Sequence, residues 1–212
     1  MKIKINIQIF IIIGILILTR QIAIYAWLML FALIHELAHT LAGIILKLKP
    51  KALEIEPFGI GIVFESYQNT EKNKIIIALA GPIMNILLAI VFSFIAVGAK
   101  ELIVNANLLL AIFNMIPIYP LDGGRIIKSI LSIKNGKEKT EAIVNKISNI
   151  LMISLTMISS LLILKYKNIA LFIVIAYLWI IVIKENKKYS LWKKINVTIN
   201  KKNWQFAWLF IK

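Results

Sequence analysis

The chain has two histidines, His35 and His39, four residues apart inside the apolar stretch "LIHELAHTL". Residues i and i+4 share one face of a helix, so both imidazoles point the same way and can offer two nitrogens to one cation at about 2.0 to 2.1 Å. Two nitrogens are an incomplete set, because catalytic zinc commonly takes three protein ligands and keeps a fourth position for water. With no cysteine and no third histidine, the missing ligand must be an oxygen donor. Asp122 is the single aspartate, and it lies in "NMIPIYPLDGGRI", where two prolines and paired glycines prevent a regular helix from continuing. Irregular backbone at membrane depth is tolerated only where protein or a polar cavity receives its freed amides. An ionised carboxylate at mid-bilayer costs about 2.5 to 3.5 kcal/mol on insertion scales, and metal coordination offsets that cost. Every glutamate outside the histidine motif sits in a loop or near an end, which makes Asp122 the natural third ligand.

Glu36 follows the first histidine and is turned about 100° from it around a helix. It can face a water held by the cation without being a ligand, take the proton of that water, and later protonate a leaving amine. Asn114, eight residues before Asp122, has an amide that suits a developing oxyanion; helix packing accounts for it equally well. Gly81 and Pro82 in "AGPIMN" allow close helix approach, and Asn85 in the same stretch is read as a buried amide that serves packing.

Such residues need a scaffold that holds them in lipid. The 212 residues are 60% hydrophobic with mean hydropathy +0.85, and apolar runs recur at roughly 3 to 19, 22 to 46, 75 to 97, 102 to 127, 147 to 164 and 168 to 183. A crossing needs about 20 apolar residues in a helix. The expected fold is an all-α membrane protein of about six transmembrane helices, with residues 1–184 forming the membrane domain. The first run follows Lys2 and Lys4 as a signal peptide would, but "LTRQIA" lacks a small-residue cleavage site, so it is read as a retained helix. No polar stretch is long enough for a separate soluble domain.

Between the second and third crossings, "PKALEIEPFGIGIVFES" combines helix-breaking Pro50, Pro57, Gly59 and Gly61 with alternating Ile55, Phe58, Ile60, Ile62 and Phe64. It reads as a short membrane-associated β-hairpin, with a plain connecting loop as the alternative. Residues 185–212 mix lysines with Trp192, Trp204, Phe206 and Trp208, which suits a cytoplasmic interfacial tail on anionic lipid.

The net charge of +15 is unevenly placed. Under a six-crossing scheme 21 of the 25 Lys and Arg residues fall on one side, leaving Arg20, Lys100, Lys165 and Lys167 on the other. The positive-inside rule then puts both termini in the cytoplasm. Nucleic acid is not an expected partner, since the basic residues are distributed as the positive-inside rule describes for a membrane protein.

The three motifs resemble the site-2 protease family of intramembrane zinc metalloproteases (peptidase M50): "HELAH" resembles its HExxH helix, "AGPIMN" its GPxxN helix and "PLDGG" its LDG segment, in order over residues 22 to 128. That resemblance implies one Zn2+ per chain, held by His35, His39 and Asp122, with Glu36 as catalytic base and Asn114 as a substrate or oxyanion contact. It implies a membrane-associated protein as substrate and leaves room for inhibitory membrane partners. The six crossings and "NMIPIYPLDGGR" are most similar to the stage IV sporulation protein FB branch, which implies a pro-sigma factor as substrate in a bacterial membrane. The chain has no room for the PDZ or CBS domains found elsewhere in the family. A metal permease or a non-enzymatic membrane adaptor are the rival readings; a permease needs ligands stepping along a path, whereas the histidines here form one cluster.

Overall fold

The computed structural model describes residues 2–5, 22–48, 50–56, 59–64, 70–95, 98–166 and 170–210. The order of elements is β1 (Lys2–Ile5), α1 (Ile22–Ile45), β2 (Pro50–Glu56), β3 (Gly59–Phe64), α2 (Glu71–Phe94), α3 (Lys100–Asn114), α4 (Asp122–Asn135), α5 (Lys137–Tyr166) and α6 (Ala170–Phe210).

The helices begin and end where local chemistry directs. α1 stops where Lys47 adopts a left-handed backbone with φ of 60°. There Lys47 N–H donates to the Ile44 carbonyl at 2.8 Å and Leu48 N–H to the Gly43 carbonyl at 2.9 Å. This pair of reversed bonds satisfies carbonyls that the helix end would otherwise orphan. α2 opens on Thr70, whose hydroxyl accepts from the Asn73 N–H, with Glu71 in the first turn beside the positive end of the helix dipole. No glycine or proline follows Gly136, and α5 and α6 accordingly run 30 and 41 residues.

Among the described residues, Ala26–Ile45, Glu71–Phe94 and Lys137–Leu161 are long and apolar enough to cross a membrane. Their outward faces are apolar stripes at helical spacing: Leu30, Leu33, Leu37, Leu41 and Ile44 on α1, and Ile83, Leu87, Ile90 and Phe94 on α2 are all exposed. Water would not tolerate faces of this extent, whereas lipid does. The chain is an integral membrane protein built mainly from helices.

α2 is the hub, in contact with α1, α3 and α4. On one side Phe31, Ile103 and Ala106 form a buried cluster joining α1 to α3, with Leu88 and Phe92 of α2 packed against it. On the other, Ile118 is fully buried against Met152 of α5 and Ile175, Leu178 and Val182 of α6. Between α3 and α4 the chain is irregular from Met115 to Leu121. That segment is pinned by Ile118 and by the Tyr119 N–H, which donates to Ser148 Oγ at 3.0 Å. Lys128 secures α4 from outside, 2.6 Å from Glu141 and 4.2 Å above the Tyr119 ring. The run expected to cross at 102 to 127 is therefore two helices meeting at a break, with Asp122 opening the second.

Two expectations change. Residues 3–5, assigned to the first crossing helix, belong to a strand: Lys2–Ile5 pairs in parallel with Ala52–Ile55 of β2. The reason is in the alternation Lys2, Ile3, Lys4, Ile5, a period of two that a count of apolar residues conceals. The rest of that run, to residue 19, lies outside the described residues. The sheet has the order β1-β2-β3, with β2 antiparallel to β3 and a register shift between Pro50 and Ala52; β3 packs against α1. Secondly, α6 does not stop near 183 but continues as one helix to Phe210.

Candidate metal centre

The helical spacing on α1 delivers what it implies: the His35 and His39 rings lie at 87° to one another with centroids 4.6 Å apart. Their Nε2 atoms are 3.0 Å apart. Asp122, in the first turn of α4, places Oδ2 3.0 Å from His35 Nε2 and 3.2 Å from His39 Nε2. All three side chains are buried. Among the described residues this is the one group of His and acidic side chains whose atoms converge closely enough to hold a metal ion.

The outer ring nitrogens decide what those inner atoms are. His39 Nδ1 lies 2.6 Å from the Ile77 carbonyl oxygen, an acceptor, so it carries the proton and donates. His35 Nδ1 lies 2.7 Å from Asn85 Oδ1 and donates likewise. Asn85 cannot be turned around, because its Nδ2 donates to Asn107 Oδ1 at 3.2 Å, and Asn107 Nδ2 donates in turn to the Ile103 carbonyl at 2.9 Å. That backbone carbonyl can only accept, which fixes both amides. In the neutral imidazoles each Nε2 is therefore the lone-pair nitrogen, and two lone pairs face a carboxylate oxygen across 3.0 to 3.2 Å. Such a trio of acceptors calls for a shared proton or a cation between them. A tetrahedral ion bound at 2.0 to 2.1 Å sets its ligand atoms about 3.3 Å apart, a few tenths from what is seen. The donor set fits a divalent metal of the zinc type.

The close approach depends on glycine at three places. A Cβ on Gly81 would lie 2.5 Å from both histidine Nε2 atoms, so α2 can pass this close to the pair only without a side chain there. On α4, a Cβ at Gly123 would meet the Met115 carbonyl oxygen at 2.2 Å, and one at Gly124 the Ile118 carbonyl carbon at 2.4 Å. The paired glycines let the first turn of α4 sit directly on the irregular segment, which sets the position of Asp122.

Of the five residues singled out from sequence, the fold brings His35, His39 and Asp122 together. Glu36 is half-buried on α1 next to His35. Asn114 ends α3 with its Nδ2 turned back to the Leu110 carbonyl at 3.1 Å. Arg125 approaches Asp122 Oδ1 at 3.9 Å from a half-exposed position, so its influence on the carboxylate is weak. Sequence reasoning gave Asn85 to helix packing and passed over Asn107. The available signal was that two amides in apolar helices must each find a partner.

The sequence model for Peptidase M50B-like matches residues 8–120, and that for Peptidase family M50 matches residues 99–155. Stage IV sporulation protein FB of Bacillus subtilis is 30% identical over 139 residues, covering 62% of this chain and 48% of that protein. A zinc metalloprotease of Methanocaldococcus jannaschii is 30% identical over 184 residues, covering 80% and 52%. The chain thus spans about half the length of these curated relatives. The solved structure of the site-2 protease from Methanocaldococcus jannaschii superposes with a TM-score of 0.66 at 26% identity, covering 86% of this chain and 89% of that one. A family model matching more than half the chain and a fold shared with a solved site-2 protease lead to one conclusion: the chain belongs to the M50 peptidase family.

Proposed function

We propose that the chain is an intramembrane zinc metalloprotease that hydrolyses a peptide bond in a membrane-associated protein. The observation that carries this reading is the convergence of His35 Nε2, His39 Nε2 and Asp122 Oδ2 within 3.2 Å of one another in a buried site. These three atoms would hold the zinc. An ion bound there would supply Lewis acidity toward a water and the scissile carbonyl. Glu36 accepts the proton of the attacking water and passes it to the leaving amine. Asn114, whose Nδ2 donates to the Leu110 carbonyl here, is the amide proposed to donate to the oxygen that gains charge. The Ile77 carbonyl and Asn85 hold the imidazoles in the ligating tautomer throughout. Likeness to stage IV sporulation protein FB favours a sporulation setting, and a membrane-associated pro-sigma factor is the substrate proposed for it.

The test is the purified Glu36→Gln variant with a candidate membrane-associated substrate. A general base contributes about 10²- to 10⁴-fold, so cleavage should fall by at least about a hundredfold while zinc stays stoichiometric. Native turnover in that variant would refute the assignment.

The fold, in this reading, crosses the membrane six times with both termini cytoplasmic and the β2–β3 hairpin at the cytoplasmic face. The lysine-rich end from residue 185 meets anionic headgroups there as an appended tail. Because the chain has no cysteine, single cysteines introduced near positions 57 and 187 give a clean readout. Both should be modified by a membrane-impermeant thiol reagent in inside-out vesicles; labelling of either from the outer face overturns this topology.

A further inference from the structure

We infer that Asn107 is a positioning residue for the metal centre, acting on His35 through Asn85 by a chain of hydrogen bonds that crosses three helices. This rests on the zinc assignment above. His35 is on α1, Asn85 on α2 and Asn107 on α3. Asn85 and Asn107 are both fully buried, so neither can exchange its partner for water. Sense is imposed at the far end: the Ile103 carbonyl takes an N–H from Asn107, which leaves Asn107 Oδ1 to accept from Asn85 Nδ2, which leaves Asn85 Oδ1 to accept from His35 Nδ1.

Without Asn107 the Asn85 amide loses the acceptor that distinguishes its two ends. It can then turn over about its terminal torsion and present NH2 to His35. That orientation matches a lone pair on Nδ1 and a proton on Nε2, and a protonated Nε2 cannot ligate a cation. Turning the amide back becomes a cost of every metal-binding event. His39 has no such dependence, since its Nδ1 donates to a backbone carbonyl, Ile77, that no substitution removes.

The experiment uses full-length protein labelled with 15N-histidine. The two histidines give two imidazoles to observe, and His39 serves as the internal control. In the zinc-loaded native protein both Nδ1–H groups should appear as exchange-protected correlations. In Asn107→Leu the His35 correlation should shift and lose protection while that of His39 stays. Zinc affinity, read by chelator competition, should fall about tenfold to a hundredfold. Ile103→Ala is the packing control: it opens a cavity on the same face of α3 but keeps the backbone carbonyl, so it should hold zinc within about threefold of native. The inference is overturned if Asn107→Leu binds zinc as the native protein does, or if Ile103→Ala weakens zinc equally. Should the leucine variant not fold, the native spectrum decides, because an unprotected Nδ1–H at His35 excludes the relay. A native protein that takes up no zinc contradicts the metal assignment instead, a distinct result.

Discussion

Gly81→Ala should weaken zinc binding by at least about a hundredfold while α2 stays helical. Alanine is the best helix former, so the substitution carries no local penalty and the loss arises wholly from what the new methyl meets. That methyl would lie 2.5 Å from His35 Nε2 and 2.5 Å from His39 Nε2, where ordinary contact begins near 3.4 Å. It would also crowd any cation those nitrogens share. Two reliefs exist: rotate the rings, which breaks the bonds to Asn85 and Ile77, or part α1 from α2 by about an ångström, where metal sites tolerate only about 0.2 Å. Metal analysis paired with far-ultraviolet circular dichroism checks the prediction. Stoichiometric zinc in a helical Gly81→Ala protein would show that α1 and α2 do not approach as described.

The second large effect is expected at Gly123. A Cβ there falls 2.2 Å from the Met115 carbonyl oxygen and 2.5 Å from its carbon, and backbone, unlike a flexible side-chain tip, cannot step aside. Gly123→Ala must lift the first turn of α4 off the irregular segment, at a cost of about 1 to 3 kcal/mol in stability. Asp122 is the adjacent residue and moves with that turn. A displacement of about 1 Å at a reacting centre costs on the order of 10²-fold in rate, so activity should fall by that factor even where folded protein is recovered. Thermal melting together with substrate cleavage measures both. Gly124→Ala should act the same way through Ile118. Native activity in either variant would mean that Asp122 is not positioned by this contact.

The sequence announced the residues that meet, because each is rare and constrained. Two histidines at i and i+4 can only share a face, and a single aspartate in a broken apolar segment has little reason to be there except as a partner. The break at 115–121 was legible from Pro117, Pro120 and the paired glycines, since their effect on a helix is local. What was not legible depends on neighbours distant in sequence. Asn85 read as packing because nothing in "GPIMN" says that His35 lies opposite it, and Asn107 attracted no notice because its partners belong to another helix. The amide of Asn114 satisfies itself on its own helix, a choice the sequence leaves open. β1 was misread where apolar content outweighed a two-residue alternation, and the length of α6 was missed because a change from apolar to basic composition is not a helix stop.

Two of the converging atoms ride on α1 and the third on α4, 87 residues beyond His35. α2 lies between these helices and touches both. A bound ion would act as a strut, tying α1 directly to α4, two helices that α2 also bridges. By mass action, free metal at a thousand times its dissociation constant adds about 4 kcal/mol to the folded state. With the metal bound as proposed, cohesion of the bundle is coupled to the ambient concentration of free metal, and chelation should loosen it.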